Sequence, residues 1–516
     1  MLSRLTPRTI FTVIAAAVFG RLSTAVAQLA AAFYLTPDQF GLYATAVGVV
    51  IATSMLRGGG TGNHMLTMTP AEFQDHGGRM FRYSLMFAAL CTVLSIAVAG
   101  PTAALFATAK GYSQHDLQVL IIVLGIQFSA FVIGQYPRAR MAAESAFKEL
   151  SLMDSFSGVL KVASTWILAS RGFGAMALAA PLLVTICFEN LWTWIRADIL
   201  KAEMRVQRGW FRLTLRELRL PLVCAVLATL NGQTDALIGS AMIPVSVIGY
   251  YFFATQLATQ PNTVIASSLR AVFSSAIAHV RGDAKRERES MHAVFASGMV
   301  FAPMISMALP AVFGSFEQAV WNGKWAESRY PLLILSATMV YPTVAQLVAA
   351  PLAAMRDWGT SIRLDSTRAA AKILGAGIGG AIVLWKGLGV IQAGVVLATA
   401  VGGLTALVCA YELYRVMLRS GLPRSTILYE LYSSPLACAL SSVAAGGLAH
   451  SLTEPLRSEL PTRAVAGIEC ALAALLYTVL VLILLRFGYT RTLERVTEAL
   501  PSALKKLARR VFVMNV

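Results

Sequence analysis

Apolar positions in this chain gather into windows of about twenty residues, separated by short clusters of charge, with none of the period-two alternation of a strand. Such windows can cross a bilayer as helices, whose backbone hydrogen bonds are satisfied internally. They place spans at 10–33, 40–60, 80–103, 117–136, 152–170, 174–195, 220–242, 247–278, 292–313, 330–355, 367–385, 388–411, 433–452 and 464–485. The fold class is therefore an all-α polytopic membrane protein with about 14 transmembrane helices. The window 247–278 exceeds one simple crossing, so a tilt, a kink near Pro261 or an extension into water is expected.

Composition agrees with this pattern. The chain of 516 residues is 57% hydrophobic and only 13% charged, far from the quarter charged that is usual in soluble domains. Mean hydropathy is +0.65. The opening RLTPRTIFTVIAAAVFG and the following AVAQ imitate a secretory signal. Arg21 within that run, and the short link to the next span, read better as a retained first helix.

Basic residues set the orientation. With the N-terminus inside, 33 of the 43 Lys and Arg fall in inner segments, 7 in outer loops and 3 (Arg21, Lys161, Arg270) within spans. The positive-inside rule then predicts a multi-pass membrane protein with both termini cytoplasmic. This bias accounts for the net charge of +17 through attraction to anionic inner-leaflet lipids, without nucleic acid. Six cysteines lie scattered with no CxxC spacing, which argues against a disulfide framework, and no metal or other cofactor is expected.

Short echoes suggest an internal repeat. DSFSGVLK (Asp154–Lys161) returns as DSTRAAAK (Asp365–Lys372) after 211 residues, and RGFGAM (Arg171–Met176) returns as KGLGVI (Lys386–Ile391) after 215. TPDQFGLYATA (Thr36–Ala46) is echoed by IPVSVIGYYFFA (Ile243–Ala254). Each pair is six spans apart, which predicts two pseudo-symmetric six-helix lobes related by an axis along the membrane normal. The expected organisation is an N-terminal lobe at 1–195, a cytoplasmic amphipathic linker helix at 196–219 and a C-terminal lobe at 220–411. Two further spans follow in 412–485, then a basic cytoplasmic tail at 486–516 containing Lys505, Lys506, Arg509 and Arg510. Within the linker, Lys201, Arg205, Arg208, Arg212, Arg216 and Arg219 fall on one helical stripe, with Trp210, Phe211 and Leu218 on or near the other side. That pattern suits a helix on the membrane surface, although a merely soluble loop helix has the same spacing.

The chain contains no GxxxxGK[ST], HExxH or GxSxG motif, so an intrinsic ATPase, metalloprotease or serine hydrolase is disfavoured. What remains is a set of intramembrane polar residues: Arg21, Lys161, Glu189, Asn231, Asp235 and Arg270. Bases outnumber acids, so a shared cavity would favour an anionic ligand, and Asn231 and Asp235, four apart, would share a helix face. The competing readings are structural ion pairs for Arg21 and Arg270 and a snorkelling side chain for Lys161. His64, after RGGGTG (Arg57–Gly62), reads as a loop histidine rather than a proton relay.

The segment NGQTDALIGSAMIPVSVIGYYFFATQL (Asn231–Leu257) resembles the Asn-x-x-x-Asp, apolar, Gly-Tyr-Tyr-x-x-Ala pattern of the polysaccharide flippase family, within the multidrug/oligosaccharidyl-lipid/polysaccharide exporter superfamily. LTPDQFGLYATA resembles that family's link between helices one and two, and NGKWAESRYPLLIL its Gly-x-Trp segment before helix ten. The resemblance implies a transporter, not an enzyme. Its substrate would be a polyprenyl-diphosphate-linked oligosaccharide, moved by alternating access for surface or exopolysaccharide synthesis. It also implies that Arg21, Arg57 and Arg270 line a cationic cavity, with Lys161, Asn231 and Asp235 as further substrate contacts. A glycan polymerase and export machinery would be partners. The rival readings are a drug antiporter of the same superfamily and a membrane glycan polymerase or glycosyltransferase. The first should favour acidic, aromatic cavities, and the second needs paired outer-side acids, whereas Asp38, Asp116, Glu317 and Glu327 are isolated in sequence.

Overall fold

A computed structural model describes residues 7–489 except 66–67, 69–71, 111–112, 145, 198–208, 281–283, 355–357 and 459. Among these residues the chain is helical with no strand. We number the helices α1 (Pro7–Tyr34), α2 (Pro37–Thr53), α3 (Gly78–Lys110), α4 (Gln114–Ala143), α5 (Phe147–Ser170), α6 (Met176–Arg196), α7 (Trp210–Met242) and α8 (Val245–Val280). Then come α9, in two segments (Ala284–Ser306 and Ala308–Trp321), and α10, also in two (Arg329–Thr338 and Val340–Ala354). Next are α11 (Trp358–Lys386) and α12 (Val390–Arg419, with a π-helical turn at Thr399–Gly403). The last two are α13 (Arg424–Thr453) and α14 (Thr462–Gly488). Each of the fourteen expected spans falls on one of these helices. Among the described residues, nine stretches are long and apolar enough to cross a membrane by length and composition alone.

The chain divides into two compact units, Met1–Gly249 and Tyr250–Val516. In the first, α1 packs along α5, α3 along α4, and α6 on both α4 and α5. Helix α7, which the repeat assigns to the second lobe, packs on α2 in this unit. Small residues permit these approaches: a Cβ on Gly158 of α5 would lie 2.7 Å from Ser23 Oγ of α1, and one on Gly48 of α2 would lie 2.8 Å from Leu237 of α7. In the second unit, α14 packs on α9 and α13, and α11 on α12. An apolar core there joins Phe295, Val344, Leu413 and Leu431.

Local chemistry explains the ends of several helices. Thr36 caps α2 with a reciprocal pair, its Oγ1 accepting from Gln39 N at 3.4 Å while its own N–H donates to Gln39 Oε1 at 3.0 Å. Pro37 then occupies the first helical position, where no N–H is missed. The turn joining α5 to α6 needs positive φ at Gly172 (+79°) and Gly174 (+55°), and its repeat partner needs it at Gly387 (+58°). Gly389, the fourth of the set, is extended instead. The NGKW stretch is a left-handed turn at Asn322 and Gly323, closed by Glu317, whose carboxylate accepts the Trp325 N–H at 2.8 Å. Trp325 is fully buried and stacks on Phe253 at 4.2 Å.

One expectation changes and one narrows. The linker helix does not stand apart: residues 210–219 are the first turns of α7 and run on through Pro221 without a break, while Lys201, Arg205 and Arg208 lie outside the described residues. The basic tail at 490–516 also lies outside them. Of the alternatives for the window 247–278, an overlong helix is what is found, and the irregular backbone lies elsewhere. Helix α8 is a single 36-residue helix containing Pro261, whereas α7 has non-helical angles at Gln233 (φ −122°, ψ 24°).

Candidate functional site

The expected lysine lies on α5, two turns beyond a polar cluster of the first unit built by α4, α5 and α6. Lys161, half-buried on α5, donates from Nζ to Thr24 Oγ1 of α1 at 3.2 Å. Two turns earlier on α5, Asp154 accepts two hydrogen bonds from Arg138 of α4, at 2.8 and 2.9 Å. Arg138 also stands 3.7 Å from Glu189 of α6, and Glu189 accepts a short hydrogen bond from Ser157 of α5. Asn190, beside Glu189, donates to the Ala130 carbonyl of α4 at 2.9 Å. A small open pocket is lined here by Gln135, Arg138, Met153, Glu189, Asn190 and Thr193.

A charge on any of these helices would be costly in hydrocarbon, and the ion pairs and hydroxyl donors offset that cost. Asp154 opens the DSFSGVLK echo and carries an ion pair with Arg138, while the lysine that closes the echo donates to Thr24. Arg138, in the PRAR of the α4 end, reads from sequence as an inner-loop base; its role depends on how α4 is rotated against α5. The sequence signal for Asp154 is the Asp-Ser pair that opens both echoes.

In the second unit, Asp365 of α11 accepts from Arg368, one turn on in the same helix, at 2.6 Å. Glu412 of α12 takes Arg363 of α11 through both Nε and Nη2, each at 3.1 Å. Lys372 and Arg368 are buried, at 6% and 7% exposure. Glu189 and Glu412 each stand seven residues before the arginine that ends their helix, Arg196 and Arg419. This adds a fourth correspondence between the halves.

The other expected site residues lie on α1, α2, α7 and α8 or the turns beside them. Arg57 lies in the turn after α2, its guanidinium 4.3 Å from the Phe128 ring centre and 5.7 Å from that of Phe131. Such stacking favours a guanidinium over an ammonium. Asp235 is fully buried on α7 and Asn231 is half-buried, donating to the Leu227 carbonyl at 2.9 Å. A kink with non-helical angles at Gln233 lies between them. Arg21 lies on α1 and Arg270 on α8, with side chains outside the described residues. Among the described residues no cluster of His, Cys, Asp and Glu could hold a metal ion.

A family model described as polysaccharide biosynthesis protein matches residues 31–328, more than half of the chain. Among solved structures, the chain is similar to one titled "Lipid II flippase MurJ, inward closed conformation", with a TM-score of 0.63 at 13% identity over 93% of this chain and 99% of that one. It is also similar to a MATE structure in complex with MaD5, with a TM-score of 0.51 at 14% identity over 81% of this chain and 96% of that one. A third is an outward-facing multidrug resistance MATE transporter of the MOP superfamily, with a TM-score of 0.50 at 16% identity over 83% and 98%. No curated protein sequence matches the chain.

Proposed function

We propose, for a chain that belongs to the polysaccharide biosynthesis protein family, a flippase that carries polyprenyl-diphosphate-linked oligosaccharide units across the bacterial inner membrane by alternating access. Both termini would lie in the cytoplasm. The family match carries this reading, and the fold shared with a lipid II flippase supports it. The physical need is plain. A diphosphate and several sugar hydroxyls cannot enter hydrocarbon unsatisfied, whereas the lipid tail can stay in the bilayer. A wet path bearing Arg21, Arg57, Lys161 and Arg270 would offset the desolvation of the diphosphate, with Asn231 and Asp235 toward the sugars.

The test is a disruption strain complemented with variants. Loss of the protein should make lipid-linked repeat units accumulate on the inner leaflet; accumulation of finished but unpolymerised units outside would point to a polymerase instead. Arg21→Ala and Arg270→Ala should each abolish export while leaving the protein in the membrane, and the lysine substitutions should restore it partly. Normal export by both alanine variants would reject the cationic path. Lys161→Ala should impair acidic glycans more than neutral ones, and equal losses would remove Lys161 from sugar contact. The MATE-like fold keeps a drug antiporter as the second reading, which a drug-efflux assay on the same strain separates.

A further inference from the structure

The first three turns of α7 carry a surface the transport reading does not use. At 100° per residue, Arg212, Arg216 and Arg219 fall within an arc of about 60°, and all three are exposed. Thr214 and Leu218, on the opposite side, are fully buried. Flanking the arginines are exposed apolar side chains: Leu213 (58%) and Leu220 (39%) on one side, Leu215 (37%) and Phe211 (38%) on the other.

The acid in these turns is removed from the stripe. Glu217 accepts from Arg79 Nη2 at 2.7 Å and stands 3.6 Å from His64 Nε2, so its charge is turned toward α3 and the short helix Thr61–Met65. What faces outward is three guanidinium groups between two apolar margins.

Neither bulk phase suits this face. In water the leucines and Phe211 would form an uncovered apolar patch, and in hydrocarbon the arginines would be strongly disfavoured. The boundary between headgroups and acyl chains accommodates both, with long arginine stems buried and their heads among phosphates. Helix α7 supplies the remaining constraint, because it continues unbroken past Pro221 into the bundle. Its start is thus held beside a bilayer.

We propose that residues 210–220 form a docking surface for anionic phospholipid headgroups, with Arg212, Arg216 and Arg219 on the phosphates and Phe211, Leu213, Leu215 and Leu220 in the acyl boundary. Guanidinium groups match phosphate oxygens in pairs, so lysine should replace arginine only in part. The surface stands whether or not the transported molecule is a lipid-linked glycan.

The experiment uses the purified full chain with equal amounts of phosphatidylglycerol and phosphatidylcholine of matched chain length, counting retained lipids by native mass spectrometry. Wild type should retain phosphatidylglycerol in about tenfold or greater preference, weakening at high salt. The triple variant R212Q/R216Q/R219Q should lose that preference, whereas R419Q/R424Q, which neutralises two exposed bases elsewhere, should keep it. A triple variant of unchanged helicity that still selects phosphatidylglycerol would overturn the proposal. So would a wild type without preference. Should the triple variant fail to fold, R216Q alone should lower the preference about fivefold, and an unchanged ratio there would be equally damaging.

Discussion

The echoes on α5 and α11 begin with the same Asp-Ser pair and end with the same lysine, yet they recruit arginine in opposite ways. Asp154 takes Arg138 from a neighbouring helix, whereas Asp365 takes Arg368 from its own helix, at the position that Ser157 holds in the first echo. Glu189 and Glu412 diverge in parallel. Glu189 is held by Ser157 and the distant edge of Arg138, while Glu412 takes a two-nitrogen grip from Arg363 of α11. The first unit therefore ties three helices through one arginine, whereas in the second Arg363 ties two helices and Arg368 pairs within its own. Burial differs as well: the Glu412 side chain is 6% exposed and that of Asp154 is 29%.

That difference predicts an order of damage. Arg363→Ala should be the most harmful, because it strands a buried carboxylate, at a cost of about 3–5 kcal/mol. Thermal unfolding of the purified protein in detergent would measure it, and a loss below that from Arg138→Ala would break the contrast. Arg138→Ala should cost less, about 1–3 kcal/mol, since Asp154 and Glu189 are both less buried than Glu412 and Glu189 keeps its bond from Ser157. The double variant Arg138→Gln/Asp154→Asn should cost less than its two singles combined, and additivity would mean that the pair does not act as one unit. The smallest effect belongs to the paired turns. Gly172→Ala and Gly387→Ala each meet open space, so only the positive φ resists them, at about 1 kcal/mol apiece.

Glycine offers a sharper probe of the same repeat at the starts of α2 and α8. A Cβ on Gly41 would strike the Val245 carbonyl oxygen, and one on Gly249 would strike that of Pro37. Each glycine of the echoed pair thus meets the backbone at the start of the other's helix. The matching positions in TPDQFG and IPVSVIG share an economical cause, namely two helix starts that cross with no room for a side chain.

Hydropathy along the chain marks the fourteen long helices among the described residues, and the sequence echoes mark the glycine turns. The reason is local: a helix in a bilayer satisfies its own backbone, so the run of apolar residues and the turn residues at its ends decide where it starts and stops. Charge pairing obeys no such rule. Whether Asp154 meets Arg138, Arg368's counterpart or solvent depends on the rotation of one helix against its neighbours, which spacing along a single helix leaves open. The same holds for α7, where a kink at Gln233 lies between Asn231 and Asp235 and the described part of the basic stripe, Arg212, Arg216 and Arg219, forms the start of a bundle helix. Those features arise from side chains brought together over distances of tens to hundreds of residues, and only packing in three dimensions selects them.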